Sequence, residues 1–137
     1  MIRFSREAYD AVVHHAYEGG DEEVCGVLAG EYGEETSRVL ETHRAENVAE
    51  TPRIRYRIDP EQQFAISEAI EDAGREIVGF YHSHPTGGPT PSETDVARAT
   101  WSDRSYVICA LDGYPFVGSW RWREDAEAFD QETVRVE

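Results

Sequence analysis

The chain has 137 residues, 39% of them hydrophobic, which suits one folded domain spanning residues 1–137 and argues against a disordered class. All 13 basic residues are arginines facing 28 acidic residues, and the net charge of −15 argues against nucleic-acid binding, which needs a cationic surface. No apolar run reaches the roughly 18–20 residues that span a bilayer, and the N-terminus lacks an apolar signal core, so we expect a cytoplasmic protein with no membrane partner.

The acidic, lysine-free composition has a second implication. Like charges on such a surface repel one another in dilute buffer, whereas salt screens charges beyond about 3 Å at 1 M. The composition is therefore typical of a halophilic protein, and we expect activity to peak in molar salt. An ordinary acidic cytosolic protein is the alternative.

The first half of the chain predicts one helix followed by strands. Ser5 is a suitable N-cap for a helix over residues 5–18, and a glycine pair follows that helix. Short apolar runs and one alternating apolar pattern predict half-buried or buried strands. These three strands cover residues 24–30, 38–43 and 54–58.

The second half opens with a strong helix start. Asp59 is the predicted cap, Pro60 takes the first helical position, Gln62 takes the capping-box position, and Gly74 ends the helix. The later predicted elements are a strand over residues 77–81, a helix over residues 92–101, a hairpin of residues 106–111 and 116–122 turned by Asp112-Gly113, and an edge strand over residues 133–136. We predict an α+β fold: one mixed, mostly antiparallel sheet flanked by helices.

A candidate metal site lies in residues 79–95, with the sequence GFYHSHPTGGPTPSETD. Residues i and i+2 of an extended chain point the same way, so His82 and His84 can present their rings to one point. The glycine-rich loop that follows lets the chain return, and Asp95 could then supply a third ligand. Three protein ligands with a fourth position open to water is the arrangement of a catalytic zinc.

Simpler interpretations exist for each part of this pattern. A lone His-x-His pair is a weak metal signal, and Ser92-x-x-Asp95 is also an ordinary capping box at a helix start. Cys25 and Cys109 lie in apolar runs and are predicted to be buried. Two cysteines are also too few for a zinc site made of cysteines.

The combined spacing resembles the motif of the JAMM (also called MPN+) metalloprotease family, H-[ST]-H-x₇-S-x₂-D. It runs here from His82 to Asp95 without departure. The family also has an upstream glutamate two residues before a cysteine, and Glu23 takes that position. Glu22 is the alternative, but adjacent residues of a strand face opposite sides. Asp21 stands where the family usually has proline.

The resemblance implies the JAMM/MPN fold, which is cytidine deaminase-like, and one zinc ion per chain. His82, His84 and Asp95 would be the metal ligands. Glu23 would act as general base toward the water that zinc activates, and Ser92 would donate a hydrogen bond to the developing oxyanion. The other histidines are expected to lie outside the site: His14, His15 and His43.

Members of this family cleave bonds after the carboxyl-terminal Gly-Gly of ubiquitin-like proteins. A short acidic chain without added domains resembles the archaeal desampylases, which remove small ubiquitin-like modifiers from lysine. The segment over residues 47–58 is a candidate edge for an extended tail. The alternatives are a processing peptidase for a Gly-Gly sulfur-carrier protein and a non-catalytic scaffold, and the sequence leaves a homodimer open.

Overall fold

The computed structural model describes residues 1–112 and 116–137. Its elements in chain order are β1 (Ile2–Phe4), α1 (Arg6–Gly19), β2 (Cys25–Glu31), β3 (Ser37–Ala45), α2 (Pro60–Asp72), β4 (Glu76–His84), α3 (Glu93–Arg98), β5 (Ser105–Ala110), β6 (Phe116–Arg123), β7 (Ala128–Glu132) and β8 (Val134–Val136).

The described strands form one eight-stranded sheet in the order β7-β6-β5-β4-β2-β3-β1-β8. The pairs β2–β3, β2–β4, β5–β6 and β6–β7 are antiparallel. The pairs β1–β3, β1–β8 and β4–β5 are parallel. The predicted mixed, mostly antiparallel sheet is therefore confirmed, with β2 and β4 at its centre.

The two longer helices begin where the sequence predicted. The Ser5 side chain accepts a hydrogen bond from Ala8 N at 3.2 Å, and Asp59 Oδ2 accepts one from Gln62 N at 3.3 Å. The Gln62 side chain makes a different contact from the predicted capping box. Its amide oxygen accepts a hydrogen bond from Glu46 N at 2.8 Å, which attaches the start of α2 to the end of β3.

Apolar side chains cover both faces of the sheet. On one face, residues of α1 such as Val12 pack with Phe4 and Tyr81. On the other face, Ile70 of α2 packs with Phe80 and residues of β5 and β6. The sheet is therefore a central layer between α1 on one side and α2 on the other.

A β-bulge in β4 sets which residues face α2. Leu28 pairs with Gly79, whereas the next residue, Ala29, pairs with Ile77, so Val78 is the extra residue. Alternation beyond the bulge places Phe80 on the α2 face and Tyr81 on the α1 face. The same alternation sends the side chains of residues 82 and 84 toward the α2 side.

The predicted strand over residues 54–58 is wrong. Residues 51–54 form a turn, and the segment makes only an isolated antiparallel bridge between Asn47 and Ile58 within the described chain. Ile54 is 63% exposed. The reason is that the Asn47 side chain bonds the backbone of this segment, accepting from Arg57 N at 3.0 Å and donating to Arg55 O at 2.9 Å, where a neighbouring strand would otherwise pair.

Other elements differ from the predicted ones in their length or were not predicted. The helix predicted over residues 92–101 is shorter, because Ala99 already has an extended backbone with ψ 128°. Strands β1 and β7 were not predicted. The antiparallel pairing of β5 with β6 confirms the strands of the predicted hairpin. The turn predicted at Asp112-Gly113 falls partly outside the described residues, since Gly113 is not among them.

Among the described residues, no helix combines the length and the apolar character needed to cross a membrane.

Candidate metal centre

Two buried histidines meet at the C-terminal end of β4. The Nε2 atoms of His82 and His84 lie 3.2 Å apart. The Nδ1 atom of His84 lies 2.9 Å from the carbonyl oxygen of Gly88, which can only accept, so Nδ1 carries the proton. When the imidazole is neutral, the Nε2 atom of His84 is left with a lone pair that faces its neighbour.

Asp95 completes this group from the first turn of α3. Its Oδ2 atom lies 3.2 Å from His82 Nε2 and 3.3 Å from His84 Nε2. The same oxygen accepts a hydrogen bond from Ser92 N at 2.8 Å, and the Ser92 hydroxyl accepts one from Asp95 N at 3.0 Å. The capping box is therefore real, and it is also what aims the carboxylate at the histidines.

The spacing of these three atoms suits a metal ion. Zinc bound tetrahedrally at about 2.0–2.1 Å keeps its ligand atoms about 3.3 Å apart. The observed separations of 3.2–3.3 Å match that distance, and two imidazole nitrogens with one carboxylate are ligands that zinc accepts. The residues present therefore fit a zinc ion.

Glu23 lies beside the histidines, just before β2. Its carboxylate and the two imidazoles each offer one ligand atom within 4.8 Å of the others. Glu23 is only 6% exposed, whereas Glu22 points to solvent. The structure thus places Glu23, and not its neighbour, at the site.

Backbone contacts fix the distance between Glu23 and β4. The Ser83 hydroxyl is fully buried and accepts a hydrogen bond from Val24 N at 2.9 Å, and Ser83 N donates to Val24 O at 3.1 Å. The Asn47 amide donates to Glu23 O at 2.8 Å. Ser83 is therefore a structural link rather than a nucleophile.

The environment shifts the pKa of each ionisable group at the site. Burial raises the pKa of Glu23 to about 7, although the nearby His84 opposes the shift. Burial also works against ionisation of Asp95, but hydrogen bonds with both histidines hold its pKa well below the usual range. Burial lowers the pKa of His82. The bonds from His84 to Asp95 and Gly88 outweigh burial and raise its pKa.

Tyr56 is part of the site and was not predicted. Its ring stacks on His82 with a centroid distance of 4.3 Å and an interplanar angle of 20°. In the sequence, Tyr56 is only one member of an alternating pattern that predicted a strand, and nothing in that pattern indicates contact with a histidine. The stacking follows from the way Asn47 folds the segment back toward β4.

The remaining candidate residues lie elsewhere. His15 Nδ1 contacts the Tyr81 hydroxyl at 2.7 Å, and His14 pairs with Glu18 on α1. His43 is 4.0 Å from Glu41 on β3. The predicted burial of both cysteines is confirmed, and burial raises the pKa of the Cys25 thiol to about 12.

Comparison with known proteins agrees with this geometry. The family of prokaryotic homologues of the JAB domain matches residues 5–123. The chain therefore belongs to this JAB/MPN family, as the motif predicted.

Individual relatives extend the comparison. The chain is 45% identical over 130 residues to the desampylase of Haloferax volcanii, covering 92% of each protein. It is 39% identical over 99 residues to the CysO-cysteine peptidase of Mycobacterium tuberculosis, covering 72% of this chain and 66% of that protein. A solution structure of a Desulfitobacterium hafniense protein superposes with a TM-score of 0.88 at 24% identity, covering 100% of this chain and 93% of the other, and supports the fold alone.

Proposed function

We propose that the protein is a zinc-dependent isopeptidase that cleaves ubiquitin-like modifiers after their carboxyl-terminal Gly-Gly, from lysine conjugates or linear fusions. The observation that carries the proposal is the convergence of His82 Nε2, His84 Nε2 and Asp95 Oδ2 at 3.2–3.3 Å. The buried carboxyl group of Glu23 lies next to them. The JAMM family is zinc-dependent, and we assign one zinc ion to these three ligands.

Zinc held by these residues would lower the pKa of a bound water to about 7 and would polarise the scissile carbonyl. Glu23 would accept the proton of that water and deliver it to the leaving amine. A carboxyl group whose pKa lies near 7 suits both halves of this transfer. Ser92 would donate a hydrogen bond from its hydroxyl to the developing oxyanion, because its oxygen already accepts from Asp95 N and its O–H stays free to donate.

The substrate assignment is supported by the relatives. The desampylase of Haloferax volcanii matches along 92% of both chains, so we infer a Gly-Gly modifier joined to lysine as the first candidate substrate class. That relative comes from a halophilic archaeon, which also supports a halophilic, archaeal character for this acidic, lysine-free chain. The match to a CysO-cysteine peptidase favours a second candidate, the processing of a sulfur-carrier protein. A cytoplasmic location and a homodimer stay predictions.

The test is a cleavage assay in molar salt with purified, zinc-loaded protein. One substrate is a modifier joined to lysine, and the other is a carrier-protein fusion. We expect cleavage after Gly-Gly that stops when a chelator removes the metal and returns when zinc is restored. Faster cleavage of the carrier fusion would favour the second candidate.

Two results, obtained together, would reject the enzyme altogether and favour a non-catalytic scaffold. The first is purified protein that holds no stoichiometric zinc. The second is a Glu23→Ala variant that leaves conjugate levels unchanged.

A further inference from the structure

Three exposed arginines that have no carboxylate partner in the described part of the chain lie near the metal centre. Many arginines elsewhere in the chain contact carboxylates, among them Arg38, Arg44, Arg75, Arg121 and Arg123. By contrast, Arg55, Arg57 and Arg98 have no carboxylate within 4 Å among the described residues. Arg3, Arg6, Arg104 and Arg135 also lack such a partner in the described chain, so what distinguishes Arg55, Arg57 and Arg98 is that they lie together in clefts beside the metal centre.

These arginines share two neighbouring clefts. Arg57 and Arg98 line a cleft of about 350 Å³ and a smaller one of about 220 Å³, and Arg55 lines the smaller. The described residues that line the larger cleft include no carboxylate, whereas Glu50 lines the smaller. Positive charge therefore dominates the walls of both.

The clefts begin at the metal centre. Arg98 Nη1 donates to Tyr56 O at 3.4 Å and so joins α3 to the segment of residues 47–58. The Tyr56 ring lines the larger cleft and stacks on His82. A chain whose scissile bond lies at the histidines would therefore have its neighbouring residues beside the arginines.

The larger cleft is also suited to side chains with an apolar part. Phe80, Trp101 and Tyr106 line it together with the two arginines. Glutamate and aspartate present short apolar stems below a carboxylate, and arginine binds a carboxylate through two parallel hydrogen bonds. The clefts thus fit acidic residues in an extended peptide.

We propose that Arg55, Arg57 and Arg98 select the modifier by binding acidic residues that precede its carboxyl-terminal Gly-Gly. The inference depends on the proposed function. Two glycines offer no side chains to recognise, so discrimination has to come from the residues before them. The modifier is the constant part of every conjugate, whereas the proteins that carry the lysine vary, so a fixed set of arginines matches the modifier.

The test uses full-length, zinc-loaded protein and two fluorogenic peptides that end in Gly-Gly-aminomethylcoumarin. One peptide has two glutamates before Gly-Gly, and the other has two glutamines in the same places. The quantity measured is the ratio of kcat/KM for the acidic peptide to that for the neutral peptide. We expect the intact protein to prefer the acidic peptide.

Removal of the charges should reduce that ratio. Exposed ion pairs contribute modestly, so Arg57→Gln or Arg98→Gln should lower it about threefold and the double variant about tenfold. Arg98→Glu should shift preference toward a peptide with lysines at the same places. Arg135→Gln is the matched control, because Arg135 is exposed on β8, remote from the clefts, and also lacks a carboxylate within 4 Å in the described chain.

Each outcome decides one question. A ratio that stays at the intact protein's value in both arginine variants overturns the proposal, as does an equal fall with Arg135→Gln. Cleavage of neither peptide by intact protein, together with no cleavage of a full modifier conjugate, would instead refute the proposed function. Cleavage of both peptides at the same rate would leave the enzyme established and reject the arginines as selectors.

Discussion

Two buried polar clusters in this protein differ in the balance between hydrogen-bond donors and acceptors. In the first, the Glu132 carboxylate accepts hydrogen bonds from Ser105 Oγ at 2.5 Å, Ser119 Oγ at 2.8 Å and Arg121 Nε at 3.0 Å, and the Met1 amino group lies 3.2 Å away. Arg121 also donates to Glu34 O at 2.8 Å. Donors and acceptors are matched, which is the pattern of a structural network.

In the second cluster, donors and acceptors are not matched in this way. When His84 is neutral, its Nε2 lone pair and the Asp95 carboxylate each lie 3.2 Å from His82 Nε2, and the Glu23 carboxyl group lies beside them. The group has fewer protons than acceptor sites. A buried polar cluster with too few donors is therefore stabilised by a cation, whereas a cluster with matched donors and acceptors needs none.

The largest expected effect follows from removing one acceptor. His82→Ala or Asp95→Ala should abolish both zinc retention and turnover. Loss of a residue that merely orients a ligand lowers metal affinity about 10–100-fold, and loss of a ligand should exceed that. Metal analysis and the conjugate-cleavage assay measure the two effects. His14→Ala is the control, since His14 is exposed on α1, and a His82→Ala protein with one zinc per chain would contradict the assignment.

The serines of the two clusters give the next comparison. The hydroxyls of Ser105 and Ser119 donate to Glu132, whereas the Ser92 hydroxyl accepts from Asp95 N and keeps its proton available. Ser92→Ala should raise the barrier to turnover by about 2.7–4 kcal/mol, as loss of an oxyanion donor does. Ser119→Ala should leave kcat unchanged and destabilise the fold by about 1–3 kcal/mol. Equal kcat values in the two variants would argue against the role of Ser92.

Glu132→Gln tests the matched cluster directly. It should destabilise the fold by about 3 kcal/mol at pH 7, because it leaves Arg121 buried without its partner. Burial opposes ionisation of Glu132, but hydrogen bonds from Ser105, Ser119 and Arg121 hold its pKa below the usual range. The stabilisation is therefore present above the ordinary glutamate pKa of about 4.3 and is lost as pH falls below it.

Chemical denaturation between pH 3 and pH 8 in high salt measures this difference. Glu124→Gln is the matched control, since Glu124 is exposed, and it should change the free energy of unfolding by less than about 0.5 kcal/mol. A Glu132→Gln effect that does not shrink toward low pH would show that the carboxylate charge is not the source of the stability.

Replacing glutamate by glutamine at the metal centre, in Glu23→Gln, should increase the free energy of unfolding instead of lowering it. Burial raises the pKa of Glu23 to about 7, so its stabilising neutral form is fully present below the ordinary pKa and is lost as pH rises through about 7. In zinc-free protein at pH 8, Glu23→Gln should therefore stabilise the fold, on the order of 2 kcal/mol, with the gain vanishing near pH 4. The variant should still bind zinc but lose turnover. A loss of stability at pH 8 would contradict the conclusion that the charged form of Glu23 destabilises the zinc-free protein.

Much of the fold follows from local sequence. The caps at Ser5 and Asp59 were correctly predicted because each needs only a side-chain oxygen and a backbone amide a few residues away. Strand β1 has three residues and depends on distant partners in β3 and β8. Strand β7 carries only a weak strand pattern, and Phe129 holds it in place by packing on Trp122 at a centroid distance of 5.0 Å. The partners of β1 are distant in sequence and leave no local signal, whereas β7 pairs with the adjacent strand β6 through residues that alternate too weakly to be recognised.

The residues of the site also fall into those that local sequence predicts and those that it does not. The spacing from His82 to Asp95 could be recognised because one strand and one helix start bring those residues together within a short stretch of chain. Tyr56 and the arginine-lined clefts could not, because their positions depend on how the Asn47 side chain folds the segment of residues 47–58.

Residues 47–58 and β4 are attached to the rest of the molecule in different ways. Strand β4 is hydrogen-bonded along both edges, to β2 and β5, whereas the segment of residues 47–58 is held by a few separate contacts: hydrogen bonds with the backbone of Glu23 and with Arg98, and the stacking of Tyr56 on His82. Backbone amides of the segment should therefore exchange with solvent through local opening long before those of residues 79–84. We therefore expect local opening of this segment to reshape the wall beside His82 without disturbing the paired strand that carries both histidines.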